Sequence, residues 1–488
     1  MTARVLEIWN GEAVQAAAVP RLPLPDFQQI AGDVIAAGGR PVAWFGRAAA
    51  GGQVLLTAVL ANDAAGRLGL LSTLVEGSVP SLTPECPSLH LFERELFEQH
   101  GVRPEGHPWL KPVREALPDR HPFFAMEGEE VHEVAVGPVH AGVIEPGHFR
   151  FQCHGEHVFH LEIALGYQHR GVEALLSGGP DRRTVALVES VAGDTAVGHG
   201  LAHCHAAEAL AGVEPPARAA ALRGVALELE RLANHVGDLG ALAGDVGFLP
   251  TASYCGALRA DFLNALAEMG GNRFGRGLLV PGGVRFDLSA AEAGRLADKV
   301  ERAMELVRRS FRLFFRSASV RGRTDGAGRV SRETCLALGM VGPAARACGV
   351  ARDVRRDHAF GVYRFAHVPV ATGESGDVLA RARVRSLECE RSADFAVKQL
   401  RALPRGPVRL PCGPPAAGRL AVALVEGWRG EIAHVAVAGE DGRYARYKVK
   451  DPSFHNWSGL AMALRNEQIS DFPLCNKSFN LSYCGHDL

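Results

Sequence analysis

Hydrophobic positions recur at alternating spacings of three and four residues through two long stretches of the chain. Leu222, Val225, Leu229, Leu232, Val236 and Leu239 form one stripe, inside a helix predicted over 218–242. Leu296, Val300, Met304, Val307, Phe311 and Phe314 form the other, inside a helix predicted over 289–316. Residues at this spacing share one face of a 3.6-residue helix, so each stretch should bury one side. Both are longer than the usual globular helix of about 11–12 residues. They predict a helical core built on two long central helices.

The chain on either side of that core has a different rhythm. Val42–Phe45, Val54–Val59 and Leu68–Leu74 are strand candidates, with Gly51-Gly52 and Asn62-Asp63 supplying the turns. Leu89, Phe92 and Leu96 mark a short helix that Gly101 can stop. The Pro- and charge-rich stretch from Pro104 to Glu133 reads as a linker lying over a surface, and Val134–Phe159 as a short β-like opening. Near the end, Val408–Val425 carries a strand candidate. His434–Val437 and Tyr444–Lys450 read as paired strands around the Gly439–Gly442 turn. The pattern predicts an α+β fold: an N-terminal α+β domain over 1–120, a linker over 121–133, and a mainly α-helical domain with small β elements over 134–488.

Composition narrows the function. A net charge of -1 over 488 residues argues against a nucleic-acid binder held by bulk charge. The most apolar stretch, Val54 to Leu74, is broken by Asn62, Asp63 and Arg67, whereas a bilayer span needs about 20 apolar residues. The first residues lack the apolar core of a secretory signal. The chain is therefore expected in the cytoplasm unless a membrane partner carries it. None of the ten cysteines forms a CxxC pair, which disfavours a self-contained Fe–S or thiolate zinc site. No GxGxxG unit between strand and helix, no P-loop and no GxSxG element is present.

Candidate chemistry concentrates between His140 and Glu173, where Glu145, His148, Arg150, His169, Arg170 and Glu173 lie. Pro146-Gly147 would bend the backbone between Glu145 and His148, so a carboxylate and an imidazole could point at one spot and relay a proton. Interface or capping roles are the competing reading. A second cluster holds Asp194, His199, His203, Cys204 and His205. Consecutive residues on a helix diverge, so His203, Cys204 and His205 cannot all face one ion. His199 and His203, four apart, can share a face.

Several segments resemble a known superfamily. GPVHAGVIEPGHFRF followed by GYQHRGVEAL looks like the opening of the [NiFe]-hydrogenase large subunit and of its homologue in NADH–quinone oxidoreductase. LELERLANHVGDLGAL resembles the long central helix of those proteins. GNRFGRGLLVPGGV resembles their Arg-Pro-Gly-Gly-Val segment, with Val280 where the Arg usually stands. The tail DFPLCNKSFNLSYCGHDL resembles the C-terminus of hydrogenase-like subunits in energy-converting membrane complexes. ERELFEQHGVRPEGHPWLKPV is similar to the end of the small complex I subunit often fused in front.

That resemblance implies two CxxC motifs holding nickel and iron, and this chain departs from both. The first aligns with ESVAGDT, placing Ala192 and Thr195 at the cysteine positions. The second aligns with DPSFHN, placing Ser453 and Asn456 there. Methyl, hydroxyl and amide groups are no substitute for soft thiolates, so no hydrogen chemistry is expected. The tail, normally removed after metal insertion, should stay and fill the vacated space. By resemblance, Glu145 stands at the proton-relay glutamate and His148 near the histidine that faces a quinone headgroup. Arg150, His169 and Arg170 fall near the Fe–S cluster of a partner subunit. Asp194, inside the first lost motif, joins them as a candidate cofactor-binding residue. The tyrosine that pairs with that histidine in complex I has no match in DRRTVALVES.

The implied partners are an Fe–S small subunit and antiporter-like membrane subunits, with the chain peripheral on the cytoplasmic side of the inner (plasma) membrane. Quinone is the implied acceptor, placed in the old metal cavity, and NAD(H) would react only elsewhere in the complex. Two other readings stand beside this one. In the first the chain is an inert scaffold of an ion-translocating complex. In the second a metal site has been rebuilt from His199, Asp451 or His455.

Overall fold

The computed structural model describes residues 4–115, 122–142 and 144–488. The domain boundary at 120 and the first linker residue, 121, lie outside them. An antiparallel sheet opens the chain, with β1 (Leu6–Ile8), β3 (Arg40–Ala48), β4 (Val54–Asn62) and β5 (Arg67–Val75) ordered β1-β5-β4-β3. The intervening β2 (Ala13–Gln15) leaves this sheet and pairs with Arg419–Ala421 near the other end of the chain. Alternate residues of a strand face opposite sides, and here both sides are apolar. Trp44, Leu56, Ala58, Leu60 and Leu71 pack against Phe27 of α1 (Leu24–Ala36) and Phe92 of α2 (His90–His100). Phe45, Val59, Leu68 and Leu70 face the main core. Gly101 ends α2 in the left-handed conformation.

A three-stranded sheet follows: β6 (Val131–Val136), β7 (His148–His154) and β8 (His157–Ala164), all antiparallel. Then come α3 (Ala196–Ala211), α4 (Ala217–Asp245), α5 (Leu249–Gly270), α6 (Ala290–Arg316) and α7 (Val378–Arg401). The predicted stripe of α4 is buried along its length, and that of α6 too. Ser289 and Glu292 close a capping box at the start of α6, each accepting from the other's backbone N–H. Last come β9 (Arg419–Gly427), β10 (Gly430–Ala438) and β11 (Tyr444–Lys450), in the sheet order β11-β10-β9-β2. The tail forms α8 (Ser453–Ala463), α9 (Phe472–Phe479) and α10 (Tyr483–Asp487).

Two expectations need correction. The core has four long helices rather than two, because α5 and α7 run 22 and 24 residues. The stripe of α7 is interrupted by Arg381, Arg385, Glu388 and Ser392, all buried. Their charges are matched inside the bundle. The Glu388 carboxylate accepts from Arg346 Nε at 2.9 Å and lies 2.9 Å from His235 Nε2. Glu228 accepts from Arg231, Arg355, Tyr363 and Ser392. Buried charges survive only when paired and hydrogen-bonded in this way.

Pro104–Glu133 is also more than a surface linker. Arg103–Glu105 pairs in parallel with Ser78–Pro80, Arg114 is buried against Glu95, and Val131 begins β6.

The β9–β10 hairpin closes through the two residues Trp428 and Arg429. Its tip is pressed against Gly342, which has φ +70°, and a Cβ there would lie 2.0 Å from the Arg429 carbonyl oxygen. Gly342→Ala should therefore cost at least about 2 kcal/mol from strain and backbone clash together. Chemical denaturation checks this; a change within about 0.5 kcal/mol, the range of an ordinary surface substitution, would mean the tip is free to move.

Candidate functional site

The two-residue tip sets the geometry. Held against Gly342, it aims Arg429 at the loop before α3, where Nη1 and Nη2 donate to the two Asp194 carboxylate oxygens at 2.6 and 2.7 Å. Trp428 Nε1 donates to the Asp194 carbonyl and to Thr195 Oγ1, both at 3.1 Å. The Arg429 guanidinium stacks over the Trp428 ring at 3.9 Å. Partial burial works against charge at Asp194, but the facing guanidinium wins and holds its carboxyl below the usual range.

Helix α3 starts immediately after this loop without a side-chain cap from Thr195. Instead Glu230 of α4 accepts from Val197 N at 2.7 Å and Gly198 N at 3.1 Å. Burial drives the Glu230 carboxyl up to about 8, against the pull of those two N–H groups and with help from the Asp194 charge.

A buried chain of hydrogen bonds runs from the second lost motif along α3. Asp451 Oδ2 lies 3.0 Å from His199 Nε2, and His199 Nδ1 lies 3.1 Å from His434 Nε2. His434 Nδ1 lies 2.9 Å from the Tyr447 hydroxyl, which lies 3.0 Å from His203 Nδ1. All five residues are at most 1% exposed. A neutral imidazole has one donor and one acceptor. With Asp451 ionised and each ring neutral, every proton in the chain points toward Asp451. His203 donates to Tyr447, Tyr447 to His434, His434 to His199, and His199 to the carboxylate. Burial supports this arrangement: it lowers His203 to about 4 and His434 further, where His199 and His203 add repulsion. At Asp451 burial is outweighed by His199, Arg429 and the Ser453 N–H, which lower its carboxyl.

The four positions that resemblance aligns with ligand cysteines make structural contacts. Ala192, Thr195, Ser453 and Asn456 are each at most 1% exposed. Thr195 Oγ1 also donates to Asp194, at 3.0 Å. Ser453 Oγ accepts from Ser482 N at 2.9 Å, and Asn456 spans the Val341 N–H and C=O at 3.0 and 3.1 Å. No thiolate stands at any of them, so these donors do not fit a nickel–iron centre.

The tail is folded in, as the sequence suggested. A Cβ on Gly485 would lie 2.7 Å from the Asp451 carboxyl carbon. Arg170 N donates to the Leu488 carbonyl at 2.9 Å.

Glu145 and His148 have different neighbours and make no hydrogen bond to each other. Glu145 faces the tail, beside Tyr483 and Cys484; burial first and this carboxylate second raise Tyr483 to about 12 and Cys484 to about 11. The His148 ring lies 5.1 Å from that of Phe123, tilted by 34°, among Arg150, Glu133 and His140, so burial and Arg150 lower its pKa. Neither of its ring nitrogens has a hydrogen-bond partner among the described residues. Arg150 pairs with Glu133 and lies 4.7 Å over Phe123. His169 Nδ1 lies 2.7 Å from the Asp487 carbonyl, and Arg170 donates to the Ser190, Val191 and Cys484 carbonyls.

His455 is apart from His199 and Asp451, packed against Phe92 and Phe454, so the three do not converge on an ion. Sequence reasoning missed Arg429, Glu230, His434, Tyr447 and Tyr483. The signal for the first was the short GWRG turn between two apolar runs.

Comparison with known proteins places this geometry. Residues 245–414 match the family described as the respiratory-chain NADH dehydrogenase 49 Kd subunit, and residues 56–126 match the corresponding 30 Kd subunit. Over 350 residues the chain is 31% identical to the carbon monoxide-induced hydrogenase of Rhodospirillum rubrum, spanning 72% of this chain and 97% of that one. The chain belongs to the family of complex I 49-kDa and membrane-bound hydrogenase large subunits. Formate hydrogenlyase subunit 5 of Escherichia coli K12 is 28% identical, over 83% of this chain and 76% of its own. The fold matches a chain from the structure of the membrane-bound sulfane sulfur reductase, an archaeal respiratory membrane complex. The TM-score is 0.69 at 24% identity, covering 74% of this chain and 99% of that one. This hydrogenase-type subunit is thus a peripheral-arm part of a membrane-bound oxidoreductase complex. No helix among its described residues is long and apolar enough to cross a membrane.

Two outcomes are expected of the buried groups. Glu230 binds its proton more tightly folded than unfolded, so its contribution is full below about pH 4.5 and is lost as pH rises toward 8. Plotted against pH, the melting temperature of Glu230→Gln should therefore fall less steeply than wild type between about pH 5 and 8; parallel curves would place an ionised carboxylate there. Tyr447→Phe strands two buried imidazole nitrogens and should cost about 2–4 kcal/mol in denaturant titration; a cost under about 0.5 kcal/mol, that of an ordinary surface change, would break the chain as drawn.

Proposed function

We propose that the chain is the quinone-facing subunit of a complex I-like, hydrogenase-related oxidoreductase that has given up nickel–iron chemistry. In this reading residues 1–120 act as the small-subunit-like part and 134–488 as the large one. An Fe–S subunit delivers electrons, and antiporter-like membrane subunits move protons or sodium on the cytoplasmic face of the membrane. Nicotinamide, if the complex uses it, reacts in another subunit.

The observation that carries the proposal is the docking of the retained tail onto Ser453, where a metal ligand would stand. This supports moving the acceptor out of the old metal cavity to its rim, where Glu145 and Cys484 are half-buried and Arg170 is exposed. A quinone takes two electrons and two protons to become a quinol. Glu145 relays protons to it, with Tyr483 as a phenol beside that carboxylate. His148, neutral and without an internal partner, donates a hydrogen bond to the headgroup. Arg150 and Arg170 set the positive field at the electron entry, with His169 beside Arg170, and Asp194 is neutralised by Arg429.

Quinone reduction by the purified complex tests this. Glu145→Gln should lower turnover about 10²-fold or more, since general acid–base groups contribute about 10²–10⁴-fold. His148→Ala should raise KM with a smaller loss of kcat. Unchanged turnover in both variants would remove these residues from the mechanism.

A further inference from the structure

Away from the site, one face of the bundle carries a charge pattern that electron transfer does not use. Between Arg302 and Arg332 the sequence holds nine arginines against Glu305 and Asp325, in a chain whose net charge is -1. Helix α6 buries Val300, Met304, Val307, Phe311 and Phe314. Its outer face presents Arg302, Leu306, Arg309, Arg312, Leu313 and Arg316, with Glu305 the one acidic side chain among them, all exposed. Leu306 and Leu313 are 48% and 50% exposed. None of those four arginines has an ion-pair partner among the described residues, whereas Arg308 on the flank is paired with Glu390 of α7 at 2.7 Å. Arg401 of α7 pairs with Asp298 and Glu301 near the other end of α6, so the two helices run antiparallel. That direction sets Arg383 and Leu387, both exposed, beside the Arg312–Arg316 end.

We propose that this face rests on an anionic membrane surface. The stripe from Arg302 to Arg316 is about 21 Å long at 1.5 Å per residue. Two leucines lie among four guanidinium groups along it. On a lipid surface the leucines enter the boundary between headgroups and acyl chains while the arginines engage phosphates. The charge calls for a negative counterpart, and the interleaved leucines call for an apolar layer just beneath it. A bilayer of acidic phospholipid offers both over the whole stripe. The chain is a peripheral part of a membrane complex and has no membrane-crossing helix among its described residues. A surface contact of this kind would orient the helical bundle without one. The proposal is independent of the quinone reading, since none of these residues is near Glu145 in that mechanism.

Co-sedimentation of the purified full chain with vesicles tests it. One set is phosphatidylcholine alone, and the other contains about 30 mol % phosphatidylglycerol. The chain should pellet with the acidic vesicles and stay in solution with the neutral ones, and raising salt should release it. Replacing Arg302, Arg309, Arg312 and Arg316 together by Gln should weaken partitioning at least about tenfold. The same four positions as Lys should keep it, and Leu306→Ser with Leu313→Ser should weaken it at unchanged charge. All six sites are exposed, so melting temperatures should stay near wild type. Three results would overturn the proposal: binding that ignores lipid charge, no binding to either vesicle, or a glutamine variant that partitions like wild type. If the variant instead releases an acidic subunit from the complex while vesicle binding is unaltered, the face belongs to a protein partner.

Discussion

A single buried carboxylate, that of Asp451, sets the conditions the rest of the site must meet. At 1% exposure it cannot stay ionised unless neighbouring groups replace its water. His199 from α3 supplies one hydrogen bond, the Ser453 N–H at the start of α8 another, and Arg429 from the hairpin tip a nearby charge. Gly485 of the tail fits against it because no side chain intervenes. Helix α3, the β9–β11 sheet, α8 and the tail therefore meet at one point. A shift in any of them would expose the carboxylate or leave it unpaired.

The same economy extends to Ala192, Thr195, Ser453 and Asn456, which resemblance aligns with thiolate ligands. Substituting Ala, Thr, Ser and Asn into a cavity shaped for a cluster would leave voids and unpaired polar groups. Here each new polar side chain finds a backbone or side-chain partner, and the tail supplies one of them. The ion pairs of the bundle do comparable work further away. Arg346 joins Glu388 of α7 to Glu426 of β9, so the hairpin that carries Arg429 is tied to the long helices through buried charge. Because removing one partner of such a pair leaves the other charge buried, the arrangement favours one geometry over near alternatives.

Helices α4 and α6 were legible because their stripes are uninterrupted, and β3–β5 because their turns are marked by Gly and Asn. Helix α7 was not, since its buried face is written in Arg, Glu and Ser that only tertiary partners neutralise. The assignment of Ala192, Thr195, Ser453 and Asn456 to ligand positions rests on two motifs and the resemblance alone. The hydrogen-bonded chain was legible in part: the paired strands that carry His434 and Tyr447 were expected, whereas His199 and His203 enter from α3, far away in sequence. DRRTVALVES offers no tyrosine, and Tyr483 of the tail packs so closely on Gly147 that a Cβ there would lie 2.6 Å from its ring. Sequence position gave no hint of that neighbourhood.

In the proposed reading the tail occupies the space a nickel–iron centre would need. Metal analysis of the purified complex, together with the intact mass of this subunit, decides the matter. The expected result is a polypeptide that retains residues through Leu488 and carries no stoichiometric nickel. Nickel at one atom per chain, in a subunit trimmed after the Asp451–Asn456 segment, would contradict it.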